Sequence, residues 1–175
     1  AAGDRVHRDD GPAEVSRAAE LRATLVRNLA DVTLERQQRE PLYDTLCGGV
    51  SDGTAAVKLG AGFDILAPGK RSCPYHFHHA QEEMFVILEG EGTLRVAGEM
   101  VPVRAGDVVF IQPGPQYPHQ FINTSAAPMR YLSISTQERP ELCEYPDSGK
   151  VAGYTRGLRI IQRPADSLDY WEGEP

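Results

Sequence analysis

An all-β fold, an antiparallel sandwich or barrel, is what this 175-residue sequence predicts, and three observations predict it. From about Tyr43 onward, short runs rich in β-branched and aromatic residues recur, broken by Gly and Pro at the spacing of antiparallel strands. Between TLRV and MVPV the Ala97-Gly98-Glu99 connection reads as a tight hairpin, and RAGD (104–107) as another turn. Helical periodicity is confined to one segment near the start, so little room is left for a parallel α/β arrangement.

Taken in order, residues 13–29 place Ala18, Leu21, Leu25 and Leu29 on one helical stripe, with Asp10 and Pro12 as start signals, which predicts an amphipathic helix. The polar stretch ADVTLERQQREPL reads as a connector, so residues 1–42 form a helical arm and connector. The predicted strands are AAVKL, FDIL, PYHFH, EMFVILEG, TLRVA, MVPV, DVVFIQ, YPHQFIN and MRYLSIST, which make residues 43–136 the barrel. In EMFVILEG, Met84, Val86 and Leu88 alternate with Phe85 and Ile87, as in a strand buried on both faces. Residues 137–175 are polar and Pro-rich, with LRII as one further strand. Tyr170 and Trp171 are too costly to leave in water, so this extension is expected to dock on the barrel or on a second subunit.

The net charge of −7, with no Lys/Arg cluster, argues against a sequence-independent nucleic-acid binder. No apolar run approaches a membrane span, and the start AAGDRVHRDDGP is charged from its fourth residue, unlike a secretory signal. Cys47, Cys73 and Cys143 are an odd number without a CxxC, so a disulfide framework is not expected and a cytoplasmic, reducing setting is.

Four of the five histidines, His76, His78, His79 and His119, fall in the β-rich region. A lone histidine is usually a polar strand residue satisfied by water or backbone. Here, however, His76 and His78 are two apart, so on an extended backbone both imidazoles leave one face. After a short turn the next strand opens with Glu82 and Glu83, and downstream His119 begins a strand with Asn123 four residues on. Three imidazoles and one carboxylate can therefore close around an ion.

These residues resemble the cupins, whose two motifs have the forms G-x5-HxH-x(3,4)-E-x6-G and G-x5-P-x-G-x2-H-x3-N. His76, His78, Glu83 and Gly90 match the first, with Gly69 one position further upstream than the pattern asks. Gly106, Pro113, His119 and Asn123 match the second, with six residues before the proline and Pro113-Gly114 adjacent. The resemblance runs from about Gly60 to Thr136, and a paired motif is far more specific than a lone HxH. The six-residue count to Gly90 favours Glu83 over Glu82 as the carboxylate, and His79 should point away from His78.

The resemblance implies a small single-barrel cupin, an antiparallel jelly roll holding one divalent transition metal (Fe, Mn, Ni, Cu or Zn) on His76, His78, Glu83 and His119. It also implies an enzyme acting on a small oxygen-rich molecule, of dioxygenase or isomerase/lyase type. The ion would serve as Lewis acid and potential O2 site, with Glu83 and Tyr117 as candidate catalytic groups. A non-enzymatic receptor for a sugar or organic acid is the competing reading, because fold does not dictate function. Exposed edge strands and two appended segments further suggest a homodimer. Cys73, Lys70, Arg71 and Arg130 lie close enough in sequence to the motifs to be tempting, but each reads more simply as packing or surface.

Overall fold

The computed structural model describes residues 15–175, and among these the chain is mostly antiparallel β-structure. One sheet has the order β1 (Glu35–Arg39), β2 (Tyr43–Gly49), β3 (Leu59–Leu66), β10 (Met129–Thr136), β5 (Glu83–Glu89) and β8 (Val108–Ile111). Facing it are β13 (Arg159–Gln162), β12 (Lys150–Tyr154), β11 (Glu141–Tyr145) and β4 (Phe77–His78), and separately β7 (Glu99–Arg104), β6 (Glu91–Val96) and β9 (His119–Ile122). The last two groups are joined where His76 and His119 exchange backbone hydrogen bonds, His119 N–H to His76 C=O at 2.8 Å and His76 N–H to His119 C=O at 3.2 Å. The two layers enclose a core of Leu66, Phe85, Ile87, Leu94, Phe121 and Met129 with their neighbours. This is the expected jelly-roll barrel.

Local chemistry sets the corners. The hairpin between β6 and β7 turns through Ala97 and Gly98, both at positive φ (49° and 83°), the geometry of a primed two-residue turn. Gly90, which separates β5 from β6, has φ 81°, and a Cβ there would lie 2.6 Å from the Pro128 carbonyl oxygen, so no other residue fits.

Several expectations are corrected. The helix α1 covers only Arg17–Leu25, capped by the Ser16 side chain, which accepts from the Ala19 N–H. It buries no residue, Leu25 is 61 % exposed, and Leu29 belongs to a separate 3-10 turn. Asp10 and Pro12, its expected start signals, lie outside the described residues. The supposed connector contains β1, an edge strand exposed at all five positions, so no apolar alternation announces it. Of AAVKL only Leu59 is in a strand, whereas β2, β11 and β12 are strands that the pattern did not single out. On β5 only one face is fully buried: Phe85 and Ile87 point inward, Met84 and Val86 are half-buried, and Leu88 is exposed. Tyr170 and Trp171 do not dock on the barrel; they pack edge to face on each other, 83 % and 72 % exposed.

Candidate metal centre

Three strands and one turn converge on the histidines. β4 is held on β11 by the pairing of His78 with Cys143 and Phe77 with Glu144. The backbone bridge to β9 sets the His76 ring 4.7 Å from the His119 ring, and His78 lies 5.0 Å from His76 on the same side. Glu83 opens β5 in phase with Phe85 and Ile87, which turns its carboxylate inward, while Glu82 is exposed.

One ligand atom each from His76, Glu83 and His119 lie within 4.8 Å of one another. His78 joins through Nε2, 3.6 Å from Glu83 Oε1, and His119 Nε2 is 3.0 Å from Glu83 Oε2. That last contact lies off the hydrogen-bonding direction, so both atoms are buried without a partner, as is His78 Nδ1. Buried polar atoms are nearly always satisfied, and two orphans facing each other in the cluster, Glu83 Oε2 and His119 Nε2, fit an ion, while His78 Nδ1 faces Glu141. A proton on Nδ1 of His76 is accepted by the Pro74 carbonyl at 2.9 Å, and one on Nδ1 of His119 by the Tyr117 carbonyl at 3.2 Å. These backbone contacts leave each Nε2 lone pair free.

The charges agree with such a role. Burial depresses the pKa of His78, against the opposing pull of Glu83, and so favours the neutral imidazole a metal requires. Burial pushes the Glu83 carboxyl up, but His119 first, then His78 and His76, outweigh that and hold it below the ordinary carboxylate value. A neutral-nitrogen and anionic-oxygen set of this kind suits divalent transition ions.

Glu141, 2 % exposed, was not singled out by the sequence. Its carboxylate accepts backbone N–H groups from His79 (2.8 Å), Ala80 (3.1 Å) and Gln81 (2.8 Å), fixing the turn between β4 and β5. It also lies 3.6 Å from His78 Nδ1, where its charge orients the ring. Cys143 was missed as well. His76, His78 and Cys143 form a second group with ligand atoms within 4.8 Å, and burial pushes the Cys143 thiol up to about 12.

Other expected residues are placed as follows. His79 turns outward to Glu144 Oε1 at 2.7 Å. The Tyr117 side chain is 43 % exposed and lines neither cavity beside the cluster; it enters the site only through its carbonyl. Asn123, fully buried, donates to the Leu66 and Ala127 carbonyls and so braces a loop. Lys70 pairs with Glu40 and Arg130 with Glu89, away from the cluster. Cys73 is half-buried, its sulfur 3.7 Å from His76 Nδ1.

Two cavities open on the cluster. The outer, about 250 Å³, brings His76, His78 and Cys143 together with Gln81, Arg139 and Tyr145. The inner, about 290 Å³, runs between the sheets, where His76, Glu83 and His119 face Asp64, Thr45 and Tyr131. Among the described residues no helix is long and apolar enough to cross a membrane.

Comparison with known proteins agrees with this architecture. A cupin-domain profile matches residues 62–135. An uncharacterized protein of Methanocaldococcus jannaschii is 30% identical over 97 residues, 55% of this chain and 70% of that protein. An oxalate-binding protein of Thermotoga maritima is 36% identical over 69 residues, 39% of this chain and 54% of that relative, so the match spans about half its length. The crystal structure of a sugar phosphate isomerase of the cupin superfamily from Silicibacter pomeroyi superposes with a TM-score of 0.72 at 22% identity, covering 82% of this chain and 96% of that one. With the barrel, both motifs and these matches in agreement, the chain belongs to the cupin family, as a small cupin barrel.

Proposed function

We propose that the chain is a metal-dependent cupin enzyme of isomerase or lyase type, acting on a small oxygen-rich anion, with His76, His78, Glu83 and His119 holding one divalent transition ion. The observation that carries this is the pair of unpartnered buried ligand atoms on Glu83 and His119, which His76 links to the outer cavity that presents Arg139. When bound, such an ion supplies Lewis-acid polarisation of a substrate oxygen. The chain supplies the rest. Arg139, which also donates to the Thr155 carbonyl at 3.2 Å, offers charge to a carboxylate or phosphate, and Gln81 offers an amide. Burial and the neighbouring Tyr154 raise the pKa of the Tyr145 phenol, so it stays a hydrogen-bond donor. In this reading Tyr145, rather than the outward Tyr117, is the donor beside the site, and Glu83 is the carboxylate at the ion. The name of the Silicibacter pomeroyi structure is in keeping with an isomerase.

A second reading, a receptor that binds without turnover, is favoured by the name of the Thermotoga maritima relative. We also read the exposed Leu21, Leu25, Ile160, Ile161, Tyr170 and Trp171 as surfaces covered in a homodimer, and the cytoplasm as the setting. Sedimentation at micromolar concentration tests the dimer.

Elemental analysis of protein purified without added metal, followed by turnover assays with and without O2 on sugar phosphates and small keto-, hydroxy- and phenolic acids, tests the function. Stoichiometric metal with O2-independent conversion is expected. Stoichiometric O2 consumption would move the assignment to a dioxygenase, and tight metal-dependent binding without turnover to a receptor.

A further inference from the structure

We propose that Cys143 is a further metal ligand, a thiolate that joins His76 and His78 on the outer-cavity side of the cluster and favours thiophilic ions over hard ones. This rests on reading the cluster as a metal site. Cys143 sits mid-strand on β11 as the pairing partner of His78, 2 % exposed, with Glu141 and Tyr145 two residues either side and lining the same cavity. One donor atom each of His76, His78 and Cys143 lie within 4.8 Å of one another. At a shared ion with metal–sulfur and metal–nitrogen bonds of about 2.3 and 2.0–2.1 Å, sulfur and nitrogen stand roughly 3–4 Å apart, so small side-chain rotations bring these atoms into range.

The nearby Cys73 is a different case. Its sulfur approaches Nδ1 of His76, the nitrogen occupied by the Pro74 carbonyl. It therefore lies behind the ring and belongs to neither group of converging ligand atoms. His76 is common to the two groups, which is what a single ion shared between them requires.

Ligation by Cys143 breaks its S–H bond, releases one proton to solvent and forms a metal–sulfur bond without electron transfer. Soft sulfur raises affinity for Co(II), Zn(II) or Cu(I) and does little for Mn(II) or Mg(II).

The test uses the full chain, stripped of metal and reloaded with one equivalent of Co(II). The expected result is a near-ultraviolet thiolate-to-cobalt charge-transfer absorption, retained in Cys73→Ser and lost in Cys143→Ser. Cys143→Ser should also bind Co(II) at least about tenfold more weakly, with Mn(II) affinity changed by less than about twofold. Stoichiometric Co(II) binding by the unmodified chain without that absorption would overturn the proposal and leave the histidine–carboxylate site standing. Absence of Co(II) binding would remove both. Absorption that survives in Cys143→Ser but not in Cys73→Ser would also overturn it. A missing absorption in the unmodified chain overturns the proposal without depending on whether a variant folds.

Discussion

Two cavities meet at His76, close in size and different in chemistry. The inner one, about 290 Å³, is walled by Phe85, Phe121 and Tyr131 and carries two acids, Glu83 at the cluster and Asp64 across from it, the latter hydrogen-bonded by the Ser133 hydroxyl at 2.8 Å. The outer one, about 250 Å³, adds a cation, amides and phenols, Arg139, Gln81, Gln137, Tyr145 and Tyr154, to Glu141, whose carboxylate is taken up by backbone N–H groups. The inner walls come from strands that build the barrel core, whereas the outer walls come largely from β11, β12 and the link before them. The barrel positions the candidate ligand atoms, and segments beyond the matched domain set the polarity of the space in front of them. A substrate anion is thus expected on the Arg139 side, and a proton donor or acceptor on the Asp64 side.

The most severe way to break this arrangement is to remove a ligand histidine. His76→Ala, which opens both cavities to each other, His78→Ala on the outer side and His119→Ala on the inner side should each leave metal far below stoichiometric. His79→Ala, whose ring points to Glu144, should retain it. Elemental analysis reads all four.

Glu83→Gln and Glu82→Gln differ next. The first replaces the inward anion with a neutral amide and is expected to weaken metal binding by about 10- to 100-fold. The second alters an exposed carboxylate and should leave the dissociation constant unchanged. Weak binding in Glu82→Gln with tight binding in Glu83→Gln would contradict the register of β5.

Asp64 sharpens the inner side. Burial pushes its carboxyl up to about 6, partly offset by Ser133. Between the ordinary carboxylate value and about 6, the folded chain keeps a proton that the unfolded chain has lost. Stability therefore falls as pH rises through that window and is level above it. Asp64→Asn should abolish that slope and be more stable than the parent by roughly 2–3 kcal/mol above about pH 7, the gap closing toward about pH 4. Urea unfolding across pH measures this, and a parent slope of the opposite sign would refute it.

The smallest effect belongs to the outer side. Arg139→Ala should leave metal content intact and weaken binding of a small carboxylate such as oxalate by about tenfold, near the 1.4 kcal/mol of one charge-assisted contact. Calorimetric titration of the metal-loaded chain checks it, and unchanged affinity would move the anion site away from this wall.

Much of the site was legible because its spacing is local. His76 and His78 declare a shared face by their two-residue period, and turns keep Gly90 and Gly106 recognisable through φ values of 81° and 94°. Strand parity does not carry from His78 across the turn at residues 79–81, so it left Glu82 and Glu83 open and only the six-residue count to Gly90 favoured Glu83. Once Leu88 proves exposed, Glu83 falls in phase with the inward Phe85 and Ile87.

What stayed hidden has a common cause. On β11 the inward residues are Glu141 and Cys143, while Leu142 is 47 % exposed, so the strand reads inside out to any hydropathy pattern. Its buried face serves a polar site, and local rules fail where the fold places chemistry. β1 is charged on both faces for a different reason, as an edge strand in water. α1 shows the reverse failure: its apolar stripe is real in sequence, yet none of its residues is buried.

The sequence by itself determined the antiparallel barrel, the converging histidines and one inward carboxylate, because alternation, turn residues and motif spacing act over a few bonds. Only the tertiary structure decided that Glu141 and Cys143 stand behind His78, 63 and 65 positions later in the chain. It alone placed Arg139 before the cluster and Asp64 across the inner cavity. Those neighbours are set by which strands pair across the sheets, and pairing between distant segments depends on the packing of the whole barrel, which no local period records.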